Sequence, residues 1–197
     1  MKKLHFGCFD QVHEGWVNTD ITPHIWVARI PFLPRILHAL GYISDERFEQ
    51  HKQGIFKRIQ RLDLTRRFPY RSGEFCAAFS SHVIEHLYYD QAAFALREVH
   101  RILAPGGILR LAVPDLDSCI AEYDSADPDK FCSAVFESRQ VREKNQHHWM
   151  YNEISLRRLL EEAGFREVYR CEYRQGKSPE VTKIDNRPGS LFMEAEK

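Results

Sequence analysis

The chain has 197 residues, 43% of them apolar and 12% aromatic, which is enough for a sizeable core and excludes a wholly disordered or fibrous protein. Its 28 Lys and Arg balance 28 Asp and Glu, so the basic excess of a non-specific nucleic-acid binder is missing. No apolar run approaches the roughly 20 residues of a membrane span. The first eight residues lack the apolar stretch of a signal peptide, and the five cysteines are scattered with no Cys-x-x-Cys pair. Free thiols in a reducing compartment are the expectation, and with them a cytoplasmic protein without a transmembrane segment or a nucleic-acid partner.

Strand-like and helix-like segments alternate, which predicts an α/β domain with a mostly parallel sheet spanning residues 1–197. Residues 4–8 and 16–21 read as the first two strands, and residues 57–64 as a third. Between them, residues 23–54 form an insert with three prolines and two short amphipathic pieces, 34–40 and 45–53. Ile25, Trp26, Phe32, Leu33, Ile36, Leu37 and Leu40 are more apolar than a surface connector needs. A helical layer covering the sheet is expected there, with a substrate lid and a membrane-surface helix as the other readings. Residues 75–79, Phe-Cys-Ala-Ala-Phe, predict a strand buried on both faces.

Asp90 is the expected N-cap of a helix whose apolar positions are Ala92, Ala93, Leu96, Val99, Ile102 and Leu103. Pro105-Gly106-Gly107 supplies a stop and a turn. Residues 108–113 are a strand ended by Pro114, and Asp127-Pro128 opens a further helix. The last helix spans about residues 152–163, with Leu156, Leu159, Leu160 and Ala163 inward, and Gly164 then Phe165 as its stop. Two strands, 165–173 and 190–195, close the chain as an antiparallel pair.

The chemistry-bearing residues fall at strand ends. A glycine turn, Gly7, follows the first strand, and Asp20 and Asp63 end the second and third. A parallel sheet brings all three loops to its carboxyl edge, where ligands bind. Asp20 is suited to ribose hydroxyls, and the backbone N–H groups around residues 7–9 to a carboxylate or phosphate. No Gly-x-Gly-x-x-Gly follows Gly7, and no phosphate-gripping Gly-x4-Gly-Lys-Ser/Thr loop occurs, which argues against dinucleotide and P-loop chemistry.

Residues 75–87, FCAAFSSHVIEHL, and 96–107, LREVHRILAPGG, followed by Val113-Pro114-Asp115, resemble the class I S-adenosylmethionine-dependent methyltransferases, most closely the small type-11-like branch. The blocks GWVNTDI at 15–21, LDL at 62–64, FPY at 68–70 and LLEEAGF at 159–165 extend the resemblance over most of the chain outside residues 23–54 and 175–188. It implies a Rossmann-like seven-stranded, mostly parallel sheet with one antiparallel strand, helices on both faces, and S-adenosylmethionine as cofactor, with S-adenosylhomocysteine as product. Carried over by position, Gly7, Cys8 and Phe9 would contact the methionine end. Asp20 and Ile21 would hold the ribose, Asp63 and Leu64 the adenine, while Ser80, Ser81 and His82 would flank the sulfonium. The implied acceptor is a small molecule or sugar-like compound.

Two departures bear on activity. The family has glycine where this chain has Phe9, and only twelve residues separate Gly7 from Asp20. A ring at position 9 either turns away, packing near Trp26 and Phe32, or fills the methionine pocket. The second outcome would make the protein a catalytically silent binding or scaffolding relative. His82-Val83-Ile84-Glu85-His86 also matches the His-x-x-Glu-His of inverted zinc peptidases, where the two histidines would share a metal and Glu85 would be the base. With no third ligand evident, no metal is expected, and Glu85 and His86 are read as orienting the turn. His147 and His148, before the last helix, are candidates with His82 for a catalytic histidine in an acceptor pocket. The alternative is a solvent-facing loop with a buried Trp149.

Overall fold

A computed structural model describes residues 1–136 and 146–197. The chain divides into two compact units, Lys2–Asp63 and Leu64–Lys197, with Met1 belonging to the second.

The unit Lys2–Asp63 holds three parallel strands: β1 (Lys2–Phe6), β2 (Val17–Asp20) and β3 (Ile59–Arg61). Leu4 stands opposite Val17, and Asn18 opposite Ile59. The connection from β1 to β2 carries no helix. The buried Asn18 side chain fastens it instead, accepting the His13 N–H at 2.9 Å and donating to the carbonyls of His13 and Trp16 at 2.9 and 3.0 Å. The expected third strand starts later than the sequence pattern indicated. Gly54 adopts a left-handed conformation and Ile55–Arg58 form a 3-10 turn, so only Ile59–Arg61 pair with β2.

Residues 23–54 form α1 (His24–Val27), α2 (Leu33–Ala39) and α3 (Asp45–Lys52). Only part of this insert is buried. Ile25 joins Cys8, Phe56 and Ile59 in an apolar cluster. Trp26, Ile30, Phe32, Ile36, Leu40 and Tyr42 are all exposed, so the apolar stripe of α2 does not form the expected covering layer.

The unit Leu64–Lys197 is built on β4 (Phe75–Ser81), β5 (Leu103–Val113), β6 (Arg166–Cys171) and β7 (Leu191–Glu196). β4 and β5 are parallel, and β7 runs antiparallel to both β5 and β6. Phe75, Ala77, Ala78 and Phe79 are buried, as the apolar run required. The helices are α4 (Tyr89–Ile102), α5 (Leu116–Ala121), α6 (Pro128–Phe136), α7 (Glu153–Glu162) and α8 (Val181–Ile184). α4 buries Ala92, Ala95, Leu96, Val99 and Ile102. Tyr88 rather than Asp90 precedes its first turn, and the Tyr88 N–H donates to Gln91 Oε1 at 3.3 Å. Pro105-Gly106-Gly107 bulges out of β5: Leu103 faces Phe75 and Ile108 faces Ala77. α7 starts on Asn152, whose side chain accepts the Ser155 N–H, and ends where the Phe165 N–H returns to the Leu160 carbonyl.

Among the described residues there are seven strands, mostly parallel, with β7 the antiparallel one and helices flanking them: a Rossmann-like fold. No helix of the described residues is long and apolar enough to cross a membrane.

Candidate functional site

In the first unit, β1 ends at Phe6 and the chain turns through Gly7 and Phe9, both with positive φ, 68° and 47°. Phe9 thus adopts the backbone for which glycine is the natural residue, because a Cβ crowds the left-handed region. Its N–H donates to Asp20 Oδ2 at 2.8 Å, and the Thr22 N–H donates to Asp20 Oδ1 at 2.7 Å. These two bonds aim the Asp20 carboxylate at the end of β2. A carboxylate has about four acceptor positions, so two remain for ligand hydroxyls.

The Phe9 ring turns toward the insert, as one reading anticipated, but lands elsewhere. The Arg47 guanidinium of α3 lies 4.4 Å from the ring centroid. Arg47 also donates to Asp10 Oδ2 at 3.0 Å, as does the Gln50 amide, so α3 holds the turn after β1 from two sides. Trp26 instead packs with Arg29, and Phe32 is 77% exposed. Cys8 is buried in the apolar cluster and burial pushes its thiol pKa well up, so only its backbone is available to a ligand. Ile21 is exposed. The Leu62 N–H donates to the Asp20 carbonyl at 3.0 Å, which brings Asp63, the next residue and half-buried, to the same strand end.

In the second unit, Leu64 is half-buried. Ser80 and Ser81 end β4, and their buried hydroxyls find no hydrogen-bond partner among the described residues. Orphaned hydroxyls of this kind suit a polar ligand. His82 follows with φ of 55° and so cannot lie on the same helix face as His86. Its Nε2 lies 2.8 Å from Ser190 Oγ and its Nδ1 3.5 Å from Glu85 Oε1. Burial, then the positive charge of Arg187, lowers the His82 pKa to about 4, so the ring is neutral at physiological pH.

His82 lines a cavity of about 380 Å³ with Pro114, Asp115, Cys119, Arg187 and Ser190 among its other walls. That volume is in the range of small-molecule sites. His147 and His148 do not line it. The His148 ring stacks on Tyr88 at 4.2 Å, and the His147 ring lies 4.9 Å from that of His86. The His148 and Trp149 N–H groups both donate to the Glu85 carbonyl, at 2.7 and 3.2 Å. Trp149 is 46% exposed, and the fully buried aromatic of the segment is Tyr151. Glu85, His86 and His147 bring ligand atoms within 4.8 Å of one another, a set that does not include His82.

Two arrangements escaped the sequence reading. Glu98 and Arg101, both inside the LREVHR block, pin residues 68–70. Glu98 accepts the Phe68 N–H at 2.8 Å, and Arg101 donates to the Tyr70 and Phe68 carbonyls at 2.8 and 3.1 Å. His147 joins the turn that carries Glu85 and His86, far upstream in the sequence, a proximity that no local pattern encodes.

Comparison with known proteins agrees with this geometry. A family model described as "Methyltransferase domain" matches residues 16–169. Among solved structures, the chain is similar to an S-adenosylmethionine-dependent methyltransferase from Archaeoglobus fulgidus (12% identity, TM-score 0.57, covering 100% of this chain and 86% of that one). It is also similar to one from Thermotoga maritima described as a possible histamine N-methyltransferase (17%, TM-score 0.51, 100% and 82%). A third, PigF with S-adenosylhomocysteine, gives 14% identity and a TM-score of 0.51; this chain, matched in full, spans 50% of its length. No curated protein matches the sequence. At such identities the solved structures establish the fold alone, while the family model covers most of the chain. The chain therefore belongs to the methyltransferase-domain family, on the class I fold of the S-adenosylmethionine-dependent methyltransferases.

Proposed function

We propose that this chain moves a methyl group from S-adenosylmethionine to a small-molecule or sugar-like acceptor, leaving S-adenosylhomocysteine. The observation that carries the reading is the Asp20 carboxylate, fixed at the end of β2 by the Phe9 and Thr22 N–H groups with acceptor positions left over. In the second unit, the orphaned Ser80 and Ser81 hydroxyls suit a polar ligand. When bound, S-adenosylmethionine supplies an electrophilic methyl on a sulfonium, and the reaction is an in-line displacement in which alignment contributes most of the rate.

The residues divide the task. The backbone of Gly7, Cys8 and Phe9 would meet the methionine end, Asp20 and Ile21 the ribose, and Asp63 and Leu64 the adenine. Ser80, Ser81 and His82 would flank the reacting centre. His82 belongs both to that turn and to the wall of the 380 Å³ cavity, which supports reading the cavity as the acceptor site. Arg187 on the same cavity favours an acceptor with an anionic or strongly polar group. The silent-relative reading requires the Phe9 ring in the methionine pocket; its stacking on Arg47 supports the active reading instead.

Titration calorimetry with S-adenosylhomocysteine tests the proposal. Hydrogen bonds to a charged acceptor contribute about 1.5–3 kcal/mol. Asp20→Ala should therefore weaken binding roughly ten- to a hundred-fold. Because Asp20 also holds the turn after β1, Asp20→Asn is the companion variant. It should bind less tightly than wild type while unfolding at a similar temperature. An absence of wild-type binding, or unchanged affinity in both variants, overturns the reading.

A further inference from the structure

We infer that Glu85, His86 and His147 form a site for a divalent transition metal of the zinc type. Glu85 and His86 come from the 3-10 turn after β4, residues Ile84–His86, and His147 from the segment before α7. Their ligand atoms lie within 4.8 Å of one another, and no ion is present. Two imidazoles and one carboxylate are the donor set of catalytic zinc sites, which leave a fourth position open.

The protonation of the rings fits ligation. His86 Nδ1 lies 3.2 Å from the Gln146 carbonyl and His147 Nδ1 3.1 Å from the Val135 carbonyl. A carbonyl only accepts, so each Nδ1 carries the proton, and in the neutral ring Nε2 keeps its lone pair. A backbone carbonyl on the far nitrogen is the usual way a metal-binding histidine is oriented. The two rings stand 4.9 Å apart, inclined at 59°, so both can turn a nitrogen toward one point. The Glu85 side chain is fully buried, with His82 Nδ1 3.5 Å from its Oε1.

The surroundings are built for the site as well. The His148 and Trp149 N–H groups on the Glu85 carbonyl hold the His147 segment against the turn without using any of the three donors. The Tyr151 hydroxyl is buried with no hydrogen-bond partner among the described residues. A water on the metal's open position would give it a partner. His82, 3.5 Å from Glu85 Oε1, also lines the cavity. The metal would thus brace the turn that carries the reacting-centre residues, which is a different chemistry from the zinc peptidase pattern: Glu85 is a ligand here, not a base.

The test uses tag-free full-length protein, stripped with chelator and titrated calorimetrically with Zn²⁺, and separately with Mn²⁺, in the absence of cofactor and acceptor. It thus reports on the metal whatever becomes of the methyl-transfer reading. One equivalent of Zn²⁺ bound in the micromolar range or tighter, with a higher thermal midpoint, is expected. His86→Ala and His147→Ala should each weaken binding at least tenfold. His24→Ala, which alters another close histidine pair, should leave the affinity as it is. Where a variant fails to fold, the Co²⁺ form of the wild type decides. Intense visible bands of a four-coordinate site support the proposal, and the pale spectrum of hydrated Co²⁺ overturns it. No saturable Zn²⁺ binding, or binding that survives the double variant His86→Ala/His147→Ala, also overturns it.

Discussion

Phe9 carries a side chain in a left-handed backbone conformation and compensates through Arg47. Leaving glycine out of such a position costs about 1–2 kcal/mol, whereas a cation over an exposed aromatic ring returns about 0.5–1 kcal/mol. Phe9→Gly should therefore change the unfolding free energy by no more than about 1 kcal/mol, most visibly as a small gain in the denaturation midpoint. S-adenosylhomocysteine affinity should be little altered, because the Phe9 N–H to Asp20 bond is a backbone interaction that glycine keeps. Binding that is absent in wild type and restored by glycine would show the ring to be an obstruction. The Ser80–Ser81 pair was named only through the resemblance, whereas Gly7 and Asp20 were legible in the sequence because each ends a strand with a recognisable pattern. The place of the Phe9 ring was not. It depends on Arg47, 38 residues away, which no spacing rule connects to the turn.

Among the elements, β5 and β7 present the largest departure from an apolar interior. Arg110 is fully buried on β5 and pairs with Asp185 and Glu194, both also fully buried. The acids are used more than once: Asp185 accepts the Arg174 N–H, and Glu194 accepts from Tyr169, Lys177 and Ser178. Removing one partner of such a group leaves uncompensated buried charge, so Arg110→Ala should cost about 3–5 kcal/mol in urea unfolding. A loss under 1 kcal/mol would contradict the triad's role. Gly176 is equally constrained: with φ of 150°, an added Cβ would stand 2.3 Å from Glu194 Oε1, a clash the held carboxylate cannot easily relieve. Gly176→Ala should destabilise as well. On α4, Glu98→Ala should free the Phe68 amide, read as faster hydrogen exchange there than in wild type. The sequence announced β5 by its apolar pattern, yet Arg110 passed unremarked, because one charge in a strand is silent until its partners are known.

For the molecule as a whole, acid is the informative perturbant. Burial, then the charge of His13, lowers the His5 pKa from 6.5 to about 3, against the hydrogen bond that His5 Nδ1 donates to Asn18 Oδ1. The unfolded chain thus binds a proton at about pH 6.5 that the folded chain refuses until about pH 3. Stability contributed by neutral His5 is complete above pH 6.5 and is lost as pH falls toward 3. At pH 5 the loss is about 2 kcal/mol, from 1.36 kcal/mol per unit over about 1.5 units. His51, lowered to about 4 by burial and by His24 and Arg47, acts in the same direction. Urea midpoints of wild type and His5→Gln at pH 7 and pH 5 check this: the variant should lose less on acidification. Equal losses in both proteins would reject His5 as a contributor.

Alternation of apolar strands with amphipathic helices determined the fold class, because period and turn chemistry are local properties that a sequence displays directly. The order of motifs pointed to a methyltransferase for the same reason: each block is contiguous. The tertiary structure alone decided what the long-range neighbours do. It left the apolar stripe of α2 exposed, since amphipathicity states that a face is apolar and not whether anything covers it. It gave His82 a positive φ and brought His147, from the segment before α7, to Glu85 and His86. Metal-donor geometry and buried charge pairing depend on distances between segments that lie tens of residues apart, and those distances exist only once the chain has folded.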